Sequence, residues 1–478
     1  MIFRDWLKEL DYTLLQGSVD VETEDVIYDS RKAAPGKVFV AMKGIRVDGH
    51  SFIPQVLKAG VRVLVTERPV EEELKNSGLS EDELKQVTVV MVEEGRHALA
   101  LLSAARFDHP AKKLVMIGVT GTKGKTTTTH MIRAILLAAG KKVGMIGTTG
   151  TVIGDVVTPT LNTTPESYEL HQAFAQMVEA GCEYAVMEVS SQGIKMHRTD
   201  GLYFNYAIFT NISPDHIGPG EHADFEEYLY YKTRLLNMCG IGLVNKDDEH
   251  APQIIKAANC ELYTYSEESK EADFVASDIR YVSQPDFVGT EFHISGKYDM
   301  EVRLGIPGLF NVVNALAAVS VCSFLGLDQA RISHALENIR VNGRMEIVYT
   351  SERCTVLVDY AHNAVSMESL LSTLRDYKPK RLVCVFGCGG NRSKDRRYSM
   401  GEIGGKMADL SIITADNSRY EKVEDIIADI RGSIEKTGGK FIEIPDRREA
   451  IRYSILHAQP GDMVAVIGKG HEDYQEIN

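Results

Sequence analysis

The chain lacks a basic excess. Of its 478 residues, 67 are Asp or Glu and only 53 are Lys or Arg, for a formal net charge of −14. A nucleic-acid binder would carry the opposite footprint, so that class is excluded as a partner. An anionic small substrate is not excluded, since a few arginines in a cleft serve it locally. Paired cysteines are lacking too. The seven (Cys182, Cys239, Cys260, Cys322, Cys354, Cys384, Cys388) are scattered, odd in number and without a Cys-x-x-Cys pair. That argues against a zinc site or a disulfide framework and for reduced thiols in a cytoplasmic setting. The opening residues Met1 to Asp5 lack an apolar core, and no uncharged run approaches membrane-spanning length, so the protein is expected to be soluble and not membrane-embedded. Internal repeats and low-complexity segments are missing as well. The length suggests about three domains.

What is present is a phosphate cradle. Val119 to Thr127 reads Val-Thr-Gly-Thr-Lys-Gly-Lys-Thr-Thr, follows the apolar run Leu114–Ile117, and opens a helical pattern over Thr127 to Ala139. Strand, glycine loop and helix is the context in which backbone N–H groups close on phosphate oxygens at the positive end of a helix. Lys125 would reach the terminal phosphates and Thr126 would offer its hydroxyl to Mg²⁺. The spacing departs from GxxxxGK[ST], because Val119 stands where that pattern has glycine. An ordinary Gly-rich turn is the alternative; ATP or GTP binding is the expectation.

Three segments differ in texture, and together they predict a three-domain α/β protein. Residues 1–108 alternate apolar runs (37–41, 61–65, 87–92) with a helix over 52–59 and acidic helical sequence over 71–85, as a small N-terminal α/β domain does. Residues 109–340 resume the strand–helix pattern around the phosphate loop, in a central ATPase domain with a mostly parallel sheet. The buried-type strands 184–189 and 206–209 each end in a polar cluster there, and a long apolar helix begins near Phe310. Residues 341–478 repeat strand and helix regularly, which predicts a doubly wound, Rossmann-like sheet.

Polar clusters sit at strand ends, where open parallel sheets bind ligands. Glu188 is placed to hold Mg²⁺ beside phosphate oxygens, although it could instead cap the next helix turn. His216 alone supports little. Lys232 lies on an amphipathic helix with Phe225, Tyr228, Leu229, Leu235 and Leu236, and reads in isolation as a snorkelling lysine. Arg198 is unremarkable. In the third segment, Gly387–Arg392, Asp416-Asn417-Ser418-Arg419 and Gly468–Glu472 follow successive strands. Their Arg392, Arg419 and Glu472 suit a zwitterion.

Taken in order, these segments resemble the Mur ligase family over nearly the whole chain, and within it the ligases that add the third residue of the peptidoglycan stem peptide. Gly121-Thr122-Lys123-Gly124-Lys125-Thr126-Thr127 is similar to the family's ATP loop, with Lys123 where asparagine is usual. Asn162-Thr163-Thr164-Pro165 and Glu188-Val189-Ser190-Ser191 look like its muramyl-peptide and metal segments. Asn311–Ala315 resembles the adenine-contacting helix start, and Gly343-Arg344-Met345-Glu346 the linker to the third domain. Asp359-Tyr360-Ala361-His362, Phe386–Gly390 and Gly468–Glu472 complete the series, and Asp29-Ser30-Arg31 resembles the uridine-binding segment.

The resemblance implies an ATP-dependent, Mg²⁺-assisted ligase of bacterial peptidoglycan synthesis. ATP would phosphorylate the glutamate carboxylate of UDP-N-acetylmuramoyl-L-alanyl-D-glutamate, and a diamino acid would attack the acyl phosphate. Lys125, Glu188, His216 and Lys232 would be catalytic, with Lys232 carbamylated and joining Thr126, Glu188 and His216 around the metal. ATP would meet residues 121–127, Asn311, Arg344, Asp359 and His362. The muramoyl dipeptide would meet Ser30, Asn162, Thr163, Thr164, Ser190 and Arg198, and the amino acid Arg392, Asp416, Asn417, Ser418, Arg419, Gly468 and Glu472. Arg419 favours meso-diaminopimelate over L-lysine, and a monomer is expected.

The chain departs from the family at Gln192, Met196, the stretch Ile217-Gly218-Pro219-Gly220 after His216, Asn363-Ala364 and Ser418. It also ends soon after Glu472, where relatives continue, so an altered pairing of the last strand is expected. A folylpolyglutamate synthetase-like ligase and a silent precursor-binding paralogue are the alternatives.

Overall fold

The computed structural model describes residues 1–44, 47–472 and 474–477. The chain divides into two compact units, Met1–Tyr265 and Ser266–Asn478. The division falls inside the expected central segment, where the chain leaves a parallel sheet for antiparallel strands.

The first unit holds two sheets. The smaller runs Thr13–Gln16, Thr88–Met91, Val63–Thr66, Lys37–Val40, Asp25–Ile27. It is parallel except where Thr13–Gln16 meets Thr88–Met91. Its inner strands are the apolar runs read from sequence, buried on both faces as parallel strands are. The acidic stretch is two short helices, Glu71–Lys75 and Glu81–Leu84. Gly78 at φ 72° turns the chain between them, and Ser80 restarts it with a capping box to Glu83.

The larger sheet places six parallel strands in the order Glu261–Ser266, Cys239–Asn245, Phe204–Phe209, Val115–Thr120, Tyr184–Glu188, Val143–Gly147. The antiparallel strands Gly150–Ile153 and Val156–Thr158 extend it. Val115–Thr120 lies between Tyr184–Glu188 and Phe204–Phe209, so the loops after these three strands share one rim. Beneath that rim Met116, Phe174, Met187, Phe204 and Phe209 form the core.

The second unit opens with three antiparallel strands, Phe274–Gln284, Phe287–Gly296 and Met300–Leu304. The helices Leu309–Phe324 and Gln329–Glu337 pack on it. A six-stranded sheet follows in the order Glu346–Thr350, Cys354–Asp359, Asp462–Ile467, Arg381–Phe386, Leu410–Ile413, Phe441–Glu443. It is parallel but for its first strand and is wound with helices as the sequence predicts. The expected disturbance of the last strand is absent. Asp462–Ile467 sits inside the sheet, in register with Cys354–Asp359 on one side and Arg381–Phe386 on the other. Its unbroken apolar sequence suits burial on both faces.

Candidate functional site

In the first unit the phosphate loop joins the strand Val115–Thr120 to the helix Lys125–Ala138, which starts two residues before the predicted pattern. Gly124 takes φ 84° as the helix N-cap. At Gly121 a Cβ would lie 1.9 Å from Thr210 Oγ1, so only glycine fits. The loop is knitted to residues 210–213: Thr122 N–H donates to Asn211 O at 2.8 Å and Lys123 N–H to Asn211 Oδ1 at 2.9 Å. The Lys123 side chain itself is exposed. The loop is held through this residue's backbone and not its side chain.

Lys125 Nζ donates to the carbonyls of Gly121 and Thr122 at 2.7 and 3.1 Å. Lys232 Nζ donates to the Gly121 carbonyl as well, at 2.8 Å. Lys232 lies on the helix Phe225–Thr233, capped by Asp224, and its ammonium position is 4.7 Å from the Tyr228 ring centroid. The snorkelling reading is corrected here, because Lys232 is only 2% exposed. Burial, and next the charge of Lys125, drive its pKa well below the usual lysine value.

Glu188 ends its strand 1% exposed. Thr126 Oγ1 donates to both its carboxylate oxygens at 3.0 Å. Thr148 adds its amide at 2.9 Å and its hydroxyl at 3.2 Å. A Cβ on Gly147 would fall 2.3 Å from Glu188 Oε1, so this glycine makes the room the carboxylate occupies. Thr148 Oγ1 also meets Thr163 Oγ1 at 3.1 Å. Hard oxygen donors converging on a buried carboxylate at a phosphate loop are chemically suited to Mg²⁺.

The muramyl-peptide candidates are partly gathered. Thr164 Oγ1 bridges the Glu188 carbonyl and the Ser190 amide at 3.0 and 2.9 Å. Arg198 donates to the Thr164 carbonyl at 3.0 Å and pairs with Glu166 at 2.7 Å. Ser190 Oγ caps the helix Ser191–Lys195 through Gly193 N–H, and Asn162 is exposed. Ser30 lines a cavity of about 500 Å³ with Tyr28, Arg31, Phe39, Phe52 and Arg96, roomy enough for a nucleoside-sized ligand. Asp29 shapes that edge by accepting from Arg31, whose hydrogen bonds draw its carboxyl down to about 2.

His216 lies at the exposed edge of this cluster, its ring 6.1 Å from that of Tyr228. Its side chain is half exposed and Nδ1 lies 3.1 Å from Glu221 Oε1. Sequence reasoning missed His222, which is fully buried with Nε2 2.9 Å from Ser191 Oγ and its ring 5.2 Å from that of Tyr228. Burial holds this imidazole's pKa below the ordinary range, with the charge of Lys195 assisting. The departing sequence after His216 forms a turn closed by Gly218 N–H to His222 O and His222 N–H to His216 O, both at 3.0 Å. Gln192 and Lys195 brace it through the carbonyls of Gly220 and Glu221 at 3.2 and 2.9 Å. Thus Gln192 finds its partner in the turn that follows His216. The signal was a second histidine six residues after the first.

In the second unit the amino-acid candidates share one rim. Asn417 Oδ1 accepts from Lys469 Nζ at 2.9 Å, and Lys469 also pairs with Glu472 at 2.9 Å. Tyr360 donates to Glu472 at 3.0 Å. Burial alone would raise the Glu472 carboxyl, but Lys469, Tyr360 and Asn417 together lower it. Gly468 lies against Asp416, and Gly390 against the Ser418 carbonyl, 2.7 and 1.9 Å from where a Cβ would stand. Ser418 is buried in the turn. Arg419, at φ 52°, donates Nη1 to the Gly390 carbonyl at 2.9 Å, and Arg392 is exposed nearby.

The adenine and linker candidates are also in this unit. Asp359 accepts from the amides of Met345 and Ala361 at 2.8 and 2.7 Å, and burial raises its pKa. Arg344 packs over the Tyr360 ring, and His362 Nδ1 lies 2.9 Å from the Tyr360 carbonyl. Asn311 is 1% exposed, with its amide on the Pro307 carbonyl at 2.7 Å. Here it braces the start of its helix.

Three family models match the chain: the Mur ligase family catalytic domain over residues 23–107, the Mur ligase middle domain over 119–322, and the Mur ligase glutamate ligase domain over 343–470. The chain is 39% identical to a UDP-N-acetylmuramoyl-L-alanyl-D-glutamate–2,6-diaminopimelate ligase of Caldanaerobacter subterraneus subsp. tengcongensis, covering 99% of this chain and 95% of the relative. It is 38% identical to the enzyme of the same name from Clostridium perfringens, covering 99% and 96%. A solved structure of a ligase so named is 30% identical, with a TM-score of 0.73 over 95% of this chain and 91% of that one. With the family's three models matched in order and full-length relatives at these identities, the chain belongs to the Mur ligase family.

Proposed function

We propose that this protein is the ATP-dependent ligase that joins 2,6-diaminopimelate to the D-glutamyl carboxylate of UDP-N-acetylmuramoyl-L-alanyl-D-glutamate, a cytoplasmic step of peptidoglycan synthesis. The observation that carries the reading is the convergence of Lys125 and Lys232 on the phosphate loop, next to the Thr126–Glu188 pair. The names borne by full-length relatives favour diaminopimelate over lysine.

The reaction moves the γ-phosphoryl group of ATP to a carboxylate oxygen. The diamino acid's amine then attacks the acyl carbon, and inorganic phosphate leaves. All the reacting phosphates and carboxylates are anions, so charge stabilisation dominates. Lys125 would release its loop carbonyls to meet the phosphates, with the loop amides cradling them. Mg²⁺ would be held by Thr126, Glu188, His216 and carbamylated Lys232, and supplies charge neutralisation at the transferring phosphoryl group. Carbamylation needs a neutral amine: nitrogen bonds to CO₂ and one proton leaves. Burial lowers the pKa of Lys232, which favours that neutral form.

Residues 1–108 would take the uridine end of the substrate, 109–340 the ATP, and 341–478 the amino acid. Arg344, Asp359, His362 and Asn311 would serve ATP; Asn162, Thr163, Thr164, Ser190 and Arg198 the muramoyl dipeptide; Arg392, Asp416–Arg419, Gly468 and Glu472 the amino acid. Mass spectrometry of a mixture with ATP, Mg²⁺, the muramoyl dipeptide and either diaminopimelate or lysine tests the proposal. A tripeptide product with diaminopimelate is expected. ATP-dependent product with neither amino acid would refute it.

A further inference from the structure

Arg419 is already paired with a carboxylate of its own chain. The segment 474–477 runs beside residues 416–419, with Glu476 N–H donating to Asn417 Oδ1 and Arg419 N–H to the Glu476 carbonyl, both at 2.9 Å. Gln475 Nε2 reaches the Asp416 carbonyl at 3.4 Å, and Arg419 and Ile477 form a parallel bridge. These contacts aim the Glu476 side chain, whose Oε2 lies 2.7 Å from Arg419 Nε. The guanidinium is thus held by Gly390 O on one side and Glu476 on the other.

We infer that Glu476 is a specificity-determining residue: an internal stand-in for the amino acid's distal carboxylate that holds Arg419 in the empty site and yields when diaminopimelate binds. The inference rests on the reading of Arg419 as the residue that recognises that carboxylate. A guanidinium is a fixed fork of donors, and it loses orientation when unpaired. Glu476 keeps the fork aimed, but every incoming carboxylate must displace it, so the free site binds diaminopimelate more weakly than Arg419 alone would allow. The pair is suited to yielding. The Arg419 and Glu476 side chains are 24% and 46% exposed, which limits such a pair to roughly a two- to fivefold effect on an equilibrium. Glu476 also lowers the positive charge that would repel a lysine ammonium.

Steady-state kinetics of E476Q, R419A and the double variant test this. E476Q is expected to lower KM for meso-diaminopimelate by roughly two- to fivefold, with kcat and the KM for ATP unchanged. Its preference for diaminopimelate over lysine should rise. In the R419A background the same change should do nothing, because the group it competes for is gone. A KM for diaminopimelate that is unchanged or higher in E476Q overturns the stand-in, the higher value marking Glu476 as a permanent support for Arg419. An R419A enzyme with wild-type KM for diaminopimelate removes the reading of Arg419 itself, and the inference with it.

Discussion

Lys125 and Lys232 donate to the same oxygen, the Gly121 carbonyl, at 2.7 and 2.8 Å. Two ammonium groups cannot share one acceptor cheaply, and only Lys232 is buried. Burial, with the charge of Lys125 beside it, lowers the folded pKa of Lys232. Between that lowered value and the unfolded value of 10.5, the unfolded chain binds the extra proton. Stability hence rises with pH across this window and is lost as pH falls. In CO₂-free buffer, Lys232→Met should raise the melting temperature at pH 7 more than at pH 9. An equal gain at both pH values would show that Lys232 does not titrate in this way.

Removing the same side chain should remove activity. Lys232→Ala is expected to lose roughly 100-fold or more in kcat, and added short-chain carboxylates such as acetate should restore part of it by replacing the carbamate. Full activity without added carboxylate would end the carbamate proposal; intact-protein mass under bicarbonate offers a second check.

For Lys125, substitution removes a charge that, on the proposed reading, faces phosphates in the transition state. Lys125→Ala should fall about 10²–10³-fold in kcat with an unchanged melting temperature. Near-normal phosphate release from ATP would contradict the assigned role.

Much of this was legible in the sequence, and the reasons differ by element. The loop Gly121–Thr127 could be read because glycine, lysine and threonine there each answer a distinct physical need. The doubly wound sheet could be read because buried parallel strands are unbroken apolar runs. The hairpins over 274–304 escaped notice. Their exposed face interleaves residues such as Ser283, Glu291 and His293 with apolar ones, and a half-exposed antiparallel strand gives a weaker signal than a buried one. Lys232 was misread in isolation because helical spacing cannot tell a buried amine from a snorkelling one; only the Gly121 carbonyl decides. The roles of His222 and Glu476 could not be read for a related reason: a second histidine near His216 is visible in the sequence, but the partners Ser191 and Arg419 are distant in it.

Gly147 tests the metal pocket without touching a charge. A Cβ there would sit 2.3 Å from Glu188 Oε1, so Gly147→Ala must displace the carboxylate or the strand. We expect a destabilisation of about 1–3 kcal/mol by thermal unfolding, together with a raised Mg²⁺ requirement for turnover. Unaltered stability and Mg²⁺ dependence would mean that Glu188 moves aside freely and is not held for a metal.

On the proposed reading, the choice of amino acid turns on Arg419. Its fork can bind a distal carboxylate, which diaminopimelate has and lysine lacks. Opposite a lysine ammonium the same guanidinium would set like charges together. Asn417, Lys469 and Tyr360 hold Glu472 across the same rim, where on the proposed reading it would receive the ammonium beside that carboxylate. Arg419→Ala should therefore raise KM for meso-diaminopimelate by roughly tenfold to hundredfold, the worth of a charged hydrogen bond, while KM for ATP stays within error. Lysine, which the wild-type enzyme is expected to reject, should become a better substrate relative to diaminopimelate in this variant. Turnover of lysine by the wild type equal to that of diaminopimelate would show that Arg419 does not set the choice.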